Sequence, residues 1–265
     1  MKDVIHFAHG NGFPSSCYAQ LLQRLQPEFE IGCIEKIGHD REFPITDNWH
    51  YLIDEVIESI RAQASKPVIA LGHSLGGVLS LLAAIKCPAL FQFVIVLDSP
   101  FMGRLKSQVV RFSKAIGMID RLTPAHRTRL RQQHWSSRAE AYAYLKSRVL
   151  FKSFSEACLN DYIDFGLLQD EKGYTLRFDR NIEYQIYRTI PHTLPDHEGQ
   201  LKTPTALIYG ERSTVIDRTD LRYMKQSHGI QCIKMKGTHM FPMEHPDLTA
   251  EVVRQTIQQM RGQAS

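Results

Sequence analysis

The segment Val68-Ile69-Ala70-Leu71-Gly72-His73-Ser74-Leu75-Gly76-Gly77 constrains this chain more than any other. An apolar run that ends in G-x-S-x-G and continues into small and aliphatic residues predicts a strand, a sharp turn and a helix. A residue on such a turn sits at strained dihedrals, and its neighbours two positions away must be small to let the backbones approach. The helix opening at Leu75 aims backbone N–H groups and its positive dipole end at Ser74. Negative charge developing there meets donors already in place, which suits a nucleophile. The pentapeptide alone occurs by chance. The strand before it, the helix after it and the extra Gly77 give it meaning.

The surrounding pattern predicts an α/β fold: a mostly parallel central sheet of about six strands with helices on both faces. Strands are expected near Val4–Ala8, Glu30–Ile34, Pro67–Leu71, Phe93–Leu97, Pro204–Tyr209 and Gln231–Met235. Runs such as Phe93-Val94-Ile95-Val96-Leu97 are apolar throughout, as strands buried on both faces are. Trp49, Leu52, Ile53, Val56, Ile57 and Ile60 recur at helical spacing, with Asp47 or Asn48 placed to cap that helix. A last amphipathic helix follows Pro246. Between Phe101 and Pro195 the rhythm changes to several helices without a convincing buried strand. The expected division is a core of 1–100 and 196–265 with a helical cap, 101–195, inserted between strands.

A serine hydroxyl needs a base. His239 lies in Gly237-Thr238-His239-Met240-Phe241-Pro242, a loop at the carboxyl end of the last strand, where it opens on the same sheet edge as Ser74. His245 in Glu244-His245-Pro246 is its main rival. Two N–H donors must also face the oxyanion. The glycine-rich loop Phe7-Ala8-His9-Gly10-Asn11-Gly12 supplies one, with Asn11 the first candidate and Gly12 the next, and Leu75 supplies the other. His9 is suited to brace that loop, and His9 and His73 are expected to be structural.

Together the His9-Gly10 loop, the Gly72–Gly77 elbow and the Gly237-Thr238-His239 loop resemble the α/β-hydrolase superfamily, in its branch of cap-bearing serine esterases. The resemblance spans nearly the whole chain. It implies a Ser-His-acid triad, no metal or organic cofactor, a pocket roofed by the insert, and an absent N-terminal hairpin. It also leaves a gap. The family's usual acid follows the penultimate strand, three or four residues after its terminal glycine, and here Ser213 and Thr214 stand in those places. Asp98, at the end of the strand after the nucleophile strand, is the preferred acid; some members, haloalkane dehalogenases among them, take it from there. Asp217 is the alternative, and Glu211 adjoins the strand but is expected to point away. A serine rather than a carboxylate nucleophile argues against dehalogenase and epoxide hydrolase chemistry.

The expected reaction is hydrolysis of a small carboxylic ester through an acyl-enzyme. The same residues would also serve a thioester or a carbon–carbon bond beside a ketone, and a non-catalytic binding protein on this fold is the reading from another class. The insert is unusually basic, with twelve Lys/Arg against Asp120 and Glu140 between Arg104 and Lys152. Solvated helix faces explain most such runs. The sharper expectation is an anionic ester or acyl substrate drawn to Arg127, Arg129 and Arg131. Phe112, Trp135, Tyr142, Tyr144, Phe151 and Phe154 are candidates for an acyl pocket or for the core of the insert. The whole-chain charge of +4 does not imply a nucleic-acid partner. The five cysteines lack C-x-x-C spacing, and no apolar run reaches the length of a membrane span, so a cytoplasmic protein is expected. Oligomeric state is left open.

Overall fold

The computed structural model describes residues 2–264. Its strands are β1 (Asp3–Ala8), β2 (Phe29–Ile34), β3 (Val68–His73), β4 (Phe91–Leu97), β5 (His134–Trp135), β6 (Leu167–Asp170), β7 (Gly173–Leu176), β8 (Thr205–Gly210) and β9 (Gln231–Met235). The α-helices are α1 (Ala19–Leu25), α2 (His50–Gln63), α3 (Leu75–Lys86), α4 (Arg104–Ala115), α5 (Ile119–Leu122), α6 (Ala125–Arg129), α7 (Arg138–Ser147), α8 (Glu156–Gly166), α9 (Arg180–Arg188), α10 (Arg218–His228), α11 (Phe241–Glu244) and α12 (Pro246–Ala264).

The expected sheet forms, with six strands in the order β2-β1-β3-β4-β8-β9 and every neighbouring pair parallel. Side chains alternate between its faces because a strand repeats every second residue. Ile5, Phe7, Ile69, Leu71, Ile95 and Leu97 pack on one side with Leu21 and Leu25 of α1 and Val253 and Ile257 of α12. Ala8, Val68, Ala70, Val94 and Val96 pack on the other with α2 and α3. Apolar residues at consecutive strand positions are therefore needed.

The chain runs from β1 outward to β2 and returns past β1 to β3, so the strand order reverses between β1 and β3. In open α/β sheets that reversal leaves a crevice at the carboxyl ends of the strands. The Gly10 loop and Ser74 both open there.

Two expectations change. Neither Asp47 nor Asn48 caps α2: they lie in a short turn in which Asn48 and Trp49 have φ of 62° and 61°, and the helix starts without a side-chain cap. The Trp49 indole N–H donates to Ile186 O at 3.1 Å, tying this turn to α9 instead. The stretch between β4 and β8 also holds a three-stranded antiparallel sheet, β5-β7-β6, beside its helices. Its strands have only two to four residues, too short for an apolar run to announce them. Among the described residues no helix is long and apolar enough to cross a membrane.

Candidate active site

Ser74 lies between β3 and α3 with φ 52° and ψ −113°, a region a serine occupies only under constraint. Close packing holds it there. A Cβ on Gly72 would lie 2.5 Å from the Gly76 carbonyl oxygen, and one on Gly76 would overlap Ala8 O. The backbones are also bonded: Ser74 N–H donates to Leu97 O at 3.0 Å and Gly76 N–H to His9 O at 3.1 Å. Substituting either glycine would push β3, α3 and β1 apart.

His239 stands on the loop between β9 and α11, and its Nδ1 lies 2.7 Å from Asp98 Oδ2. A carboxylate only accepts, so Nδ1 carries the proton and Nε2 is the ring's free base. Asp98 is fully buried and takes φ 47° at the end of β4. Two more donors reach it: Gly210 N–H to Oδ1 at 2.9 Å and Ser213 Oγ to Oδ2 at 2.5 Å. Ser213 occupies the place where the family's usual acid would stand, and its hydroxyl supports the carboxylate arriving from the neighbouring strand. Ser74 and His239 line one cavity of about 840 Å³. Among the described residues no hydrogen bond joins the Ser74 hydroxyl to the ring; such contacts are often long before substrate binds.

Asp217 is elsewhere. It caps α10, accepting from Thr219 N–H at 2.8 Å and Asp220 N–H at 3.0 Å, and its carboxylate meets Lys106 at 2.7 Å. That pairing holds it well below the usual carboxylate range. Glu211 is exposed, as expected. His245 closes α11 through its N–H to Phe241 O and does not line the cavity.

Asn11 and Leu75 both line the cavity with Ser74. Among the described residues no protein acceptor takes either backbone N–H, whereas Gly10 N–H is given to Tyr18 OH and Phe13 N–H to Gly10 O. Asn11 Nδ2 donates to Glu183 O at 2.9 Å, which anchors the loop to α9. His9 braces it from below: Ile37 N–H donates to its Nε2, so its Nδ1–H donates to Gly10 O, both at 2.8 Å.

His73 and Tyr18 form a link that sequence reasoning did not find. Gly10 N–H donates to Tyr18 OH at 3.2 Å, and Tyr18 OH lies 2.7 Å from His73 Nδ1. His73 Nε2 lies 3.0 Å from His239 O, a carbonyl, so Nε2 donates and Nδ1 accepts from the tyrosine. One neutral ring thus joins the Gly10 loop, the elbow and the His239 loop. Tyr18 is fifty-five residues from His73, and nothing local in either segment signals the pairing.

Burial pushes the His6 and His9 pKa values down to about 4. Burial, with the His239 ring beside it, pushes His73 down to about 3. A histidine in the unfolded chain takes its proton near pH 6.5. Below that, the unfolded state binds protons the folded state refuses, so stability is full above pH 6.5 and falls as pH drops towards 4. Glu55 acts in the opposite sense, since burial raises it to about 7. Burial also holds His39, His192 and His228 below the ordinary histidine range, so the net sense is a loss of stability on acidification. Urea midpoints at pH 7.5 and pH 5 should differ accordingly, and equal midpoints would contradict the buried neutral rings.

The insert contributes much of the cavity wall through Leu145, Phe151, Ile186 and Tyr187, and of the proposed acyl-pocket aromatics Tyr144 and Phe151 line it. Trp135 and Phe154 sit in the core, Phe112 is exposed, and Tyr142 bonds Glu156. The expectation for the arginines divides. Arg127 lines the cavity, as does Arg148. Arg129 does not, and Arg131 lines it too but is committed to Glu183 at 2.9 Å and to the Tyr162 hydroxyl, so its charge is already answered.

Relatives share this frame. An uncharacterised hydrolase of Bacillus subtilis (strain 168), YugF, is 22% identical over 93% of this chain and 88% of its own length. The crystal structure of E-2-(acetamidomethylene)succinate hydrolase superposes with a TM-score of 0.76 at 19% identity, covering 97% of this chain and 92% of that one. A thioesterase domain from the curacin biosynthetic pathway gives 0.73 at 18% identity, covering 95% and 91%. At these identities the structural likenesses establish the fold, and their substrates differ from one another. The sequence model of the alpha/beta hydrolase family matches residues 7–252, from the strand leading into the His9 loop to the helix beyond His239, and the chain belongs to that family.

Proposed function

We propose that this hydrolase cleaves small carboxylic esters through an acyl-enzyme on Ser74. The observation that carries this reading is the 2.7 Å contact between His239 Nδ1 and the buried Asp98, which leaves Nε2 as a base in a cavity that Ser74 shares. As Ser74 Oγ attacks the ester carbonyl carbon, His239 Nε2 takes its proton. The oxyanion settles against the N–H groups of Asn11 and Leu75. The imidazolium, steadied by Asp98, gives its proton to the departing alkoxide, and the acyl group stays on Ser74. Water then attacks the acyl carbon with His239 again as base. The carboxylic acid leaves and Ser74 regains its proton. In this reading residues 101–195 act as a cap whose apolar side chains receive the acyl group.

The cavity wall is mainly aliphatic and aromatic, so longer acyl chains should bind their transition states better. Each buried methylene contributes up to about 0.8 kcal/mol, or roughly fourfold in kcat/KM. A series of p-nitrophenyl esters from acetyl to decanoyl, with a matched acyl thioester, tests this. Rising kcat/KM over the first several methylenes, with the oxygen ester preferred, is the expected result. A flat series, or a thioester turned over far faster, would overturn the substrate assignment.

A further inference from the structure

The outward face of α4 is apolar. Ser107 and Val110 point into the protein, as a surface helix requires, and Leu105, Val109, Phe112 and Ile116 follow at spacings of four, three and four on the opposite side. Leu105 is 77% exposed and Phe112 65%. A helix lying on its own protein should present polar residues there. The apolar exposure continues through the segment: Met118 and Leu122 are exposed after α4, and Leu130 and Val149 are 71% and 90% exposed. Leu122, Leu130 and Val149 also line the cavity.

Most of the charge left without an ion pair between Arg104 and Lys152 is positive. Lys106 and Lys114 are neutralised by Asp217, Asp220 and Asp47. Among the described residues no ion pair forms with Arg111, Arg121, Arg127, Arg129 or Lys152. A second copy of the chain would bring the same surplus of positive charge against it, which opposes self-association. A surface of anionic lipid headgroups brings the opposite charge and, beneath it, a medium for the exposed side chains. Amphipathic helices with basic flanks lie in that boundary with their apolar face turned into the lipid.

We infer that α4 and its flanking loops dock this protein on an anionic lipid surface, with the cavity-lining Leu130 and Val149 on the same insert. The inference needs no turnover, so its fate is separate from that of the ester hydrolase reading. Co-sedimentation with vesicles of phosphatidylglycerol and phosphatidylcholine, against phosphatidylcholine alone, tests it. Wild type should partition to the anionic vesicles at least tenfold better and be released by salt. Arg111→Gln/Arg121→Gln/Arg129→Gln should weaken binding about fivefold per charge removed, roughly a hundredfold in all. Leu105→Ser/Phe112→Ser should also weaken it at least tenfold. None of these residues lines the cavity or belongs to the buried core, so both variants should unfold at the wild-type temperature, which reports that they fold. Equal binding to neutral vesicles, undiminished binding of either variant, or a wild-type dimer that Leu105→Ser/Phe112→Ser dissolves in place of vesicle binding would each overturn it.

Discussion

Replacing Ser74 by alanine is expected to lower kcat by about 10⁶-fold, the scale seen when a serine hydrolase loses its nucleophile. The methyl group cannot form an acyl-enzyme, and His239 then has no hydroxyl proton to take. The N–H groups of Asn11 and Leu75 remain, so hydrolysis persists at roughly 10³–10⁴ over water. KM should change little, because the side chains that enclose the substrate are untouched. The helix and sheet contacts at the elbow run through its backbone, so Tm should hold within a few degrees. Steady-state kinetics on one ester, with thermal unfolding of both proteins, checks this. A loss below tenfold would remove Ser74 from the chemistry.

Asp98→Asn should cost about 10⁴-fold in kcat, while Asp217→Asn leaves it unchanged. Three donors converge on Asp98, from His239 Nδ1, Gly210 N and Ser213 Oγ. A carboxylate accepts all three with two oxygens. An asparagine has one acceptor oxygen, and its amide facing His239 would donate to Nδ1, leaving the proton on Nε2 where the base is needed. The loss should therefore appear in kcat more than in KM. Asp217 makes its bonds to the start of α10 and to Lys106, and asparagine caps a helix about as well. The opposite outcome, with Asp217→Asn inactive and Asp98→Asn normal, would reverse the assignment.

The contrast between these two aspartates explains what the sequence could and could not disclose. The elbow was legible because its whole specification lies within ten consecutive residues, Val68 to Gly77. The six strands of the main sheet were legible because burial on both faces demands unbroken apolar runs. His239 could be placed because a loop after the last parallel strand opens on the same edge as Ser74. The contact between Asp98 and His239 could not be read the same way. Asp98 and His239 are separated by 141 positions, and whether a carboxylate at the end of β4 turns towards the β9 loop depends on three-dimensional register. Ser213, in the place of the family's usual acid, donates its hydroxyl to Asp98. The Tyr18–His73 link was invisible for the same reason. In the insert the difficulty was different: strands of two to four residues are too short to show a period, and the partner that answers the charge of Arg131 is Glu183, fifty-two residues away.

The central claim is that Ser74 is an activated nucleophile served by His239. Intact-protein mass spectrometry after brief exposure to a fluorophosphonate tests it most directly, since the probe bonds to an activated serine. One phosphonyl group on wild type, mapped to Ser74 by peptide sequencing and missing from Ser74→Ala and His239→Ala, is the predicted result. Wild type left unlabelled, or a label that persists in Ser74→Ala, would contradict it.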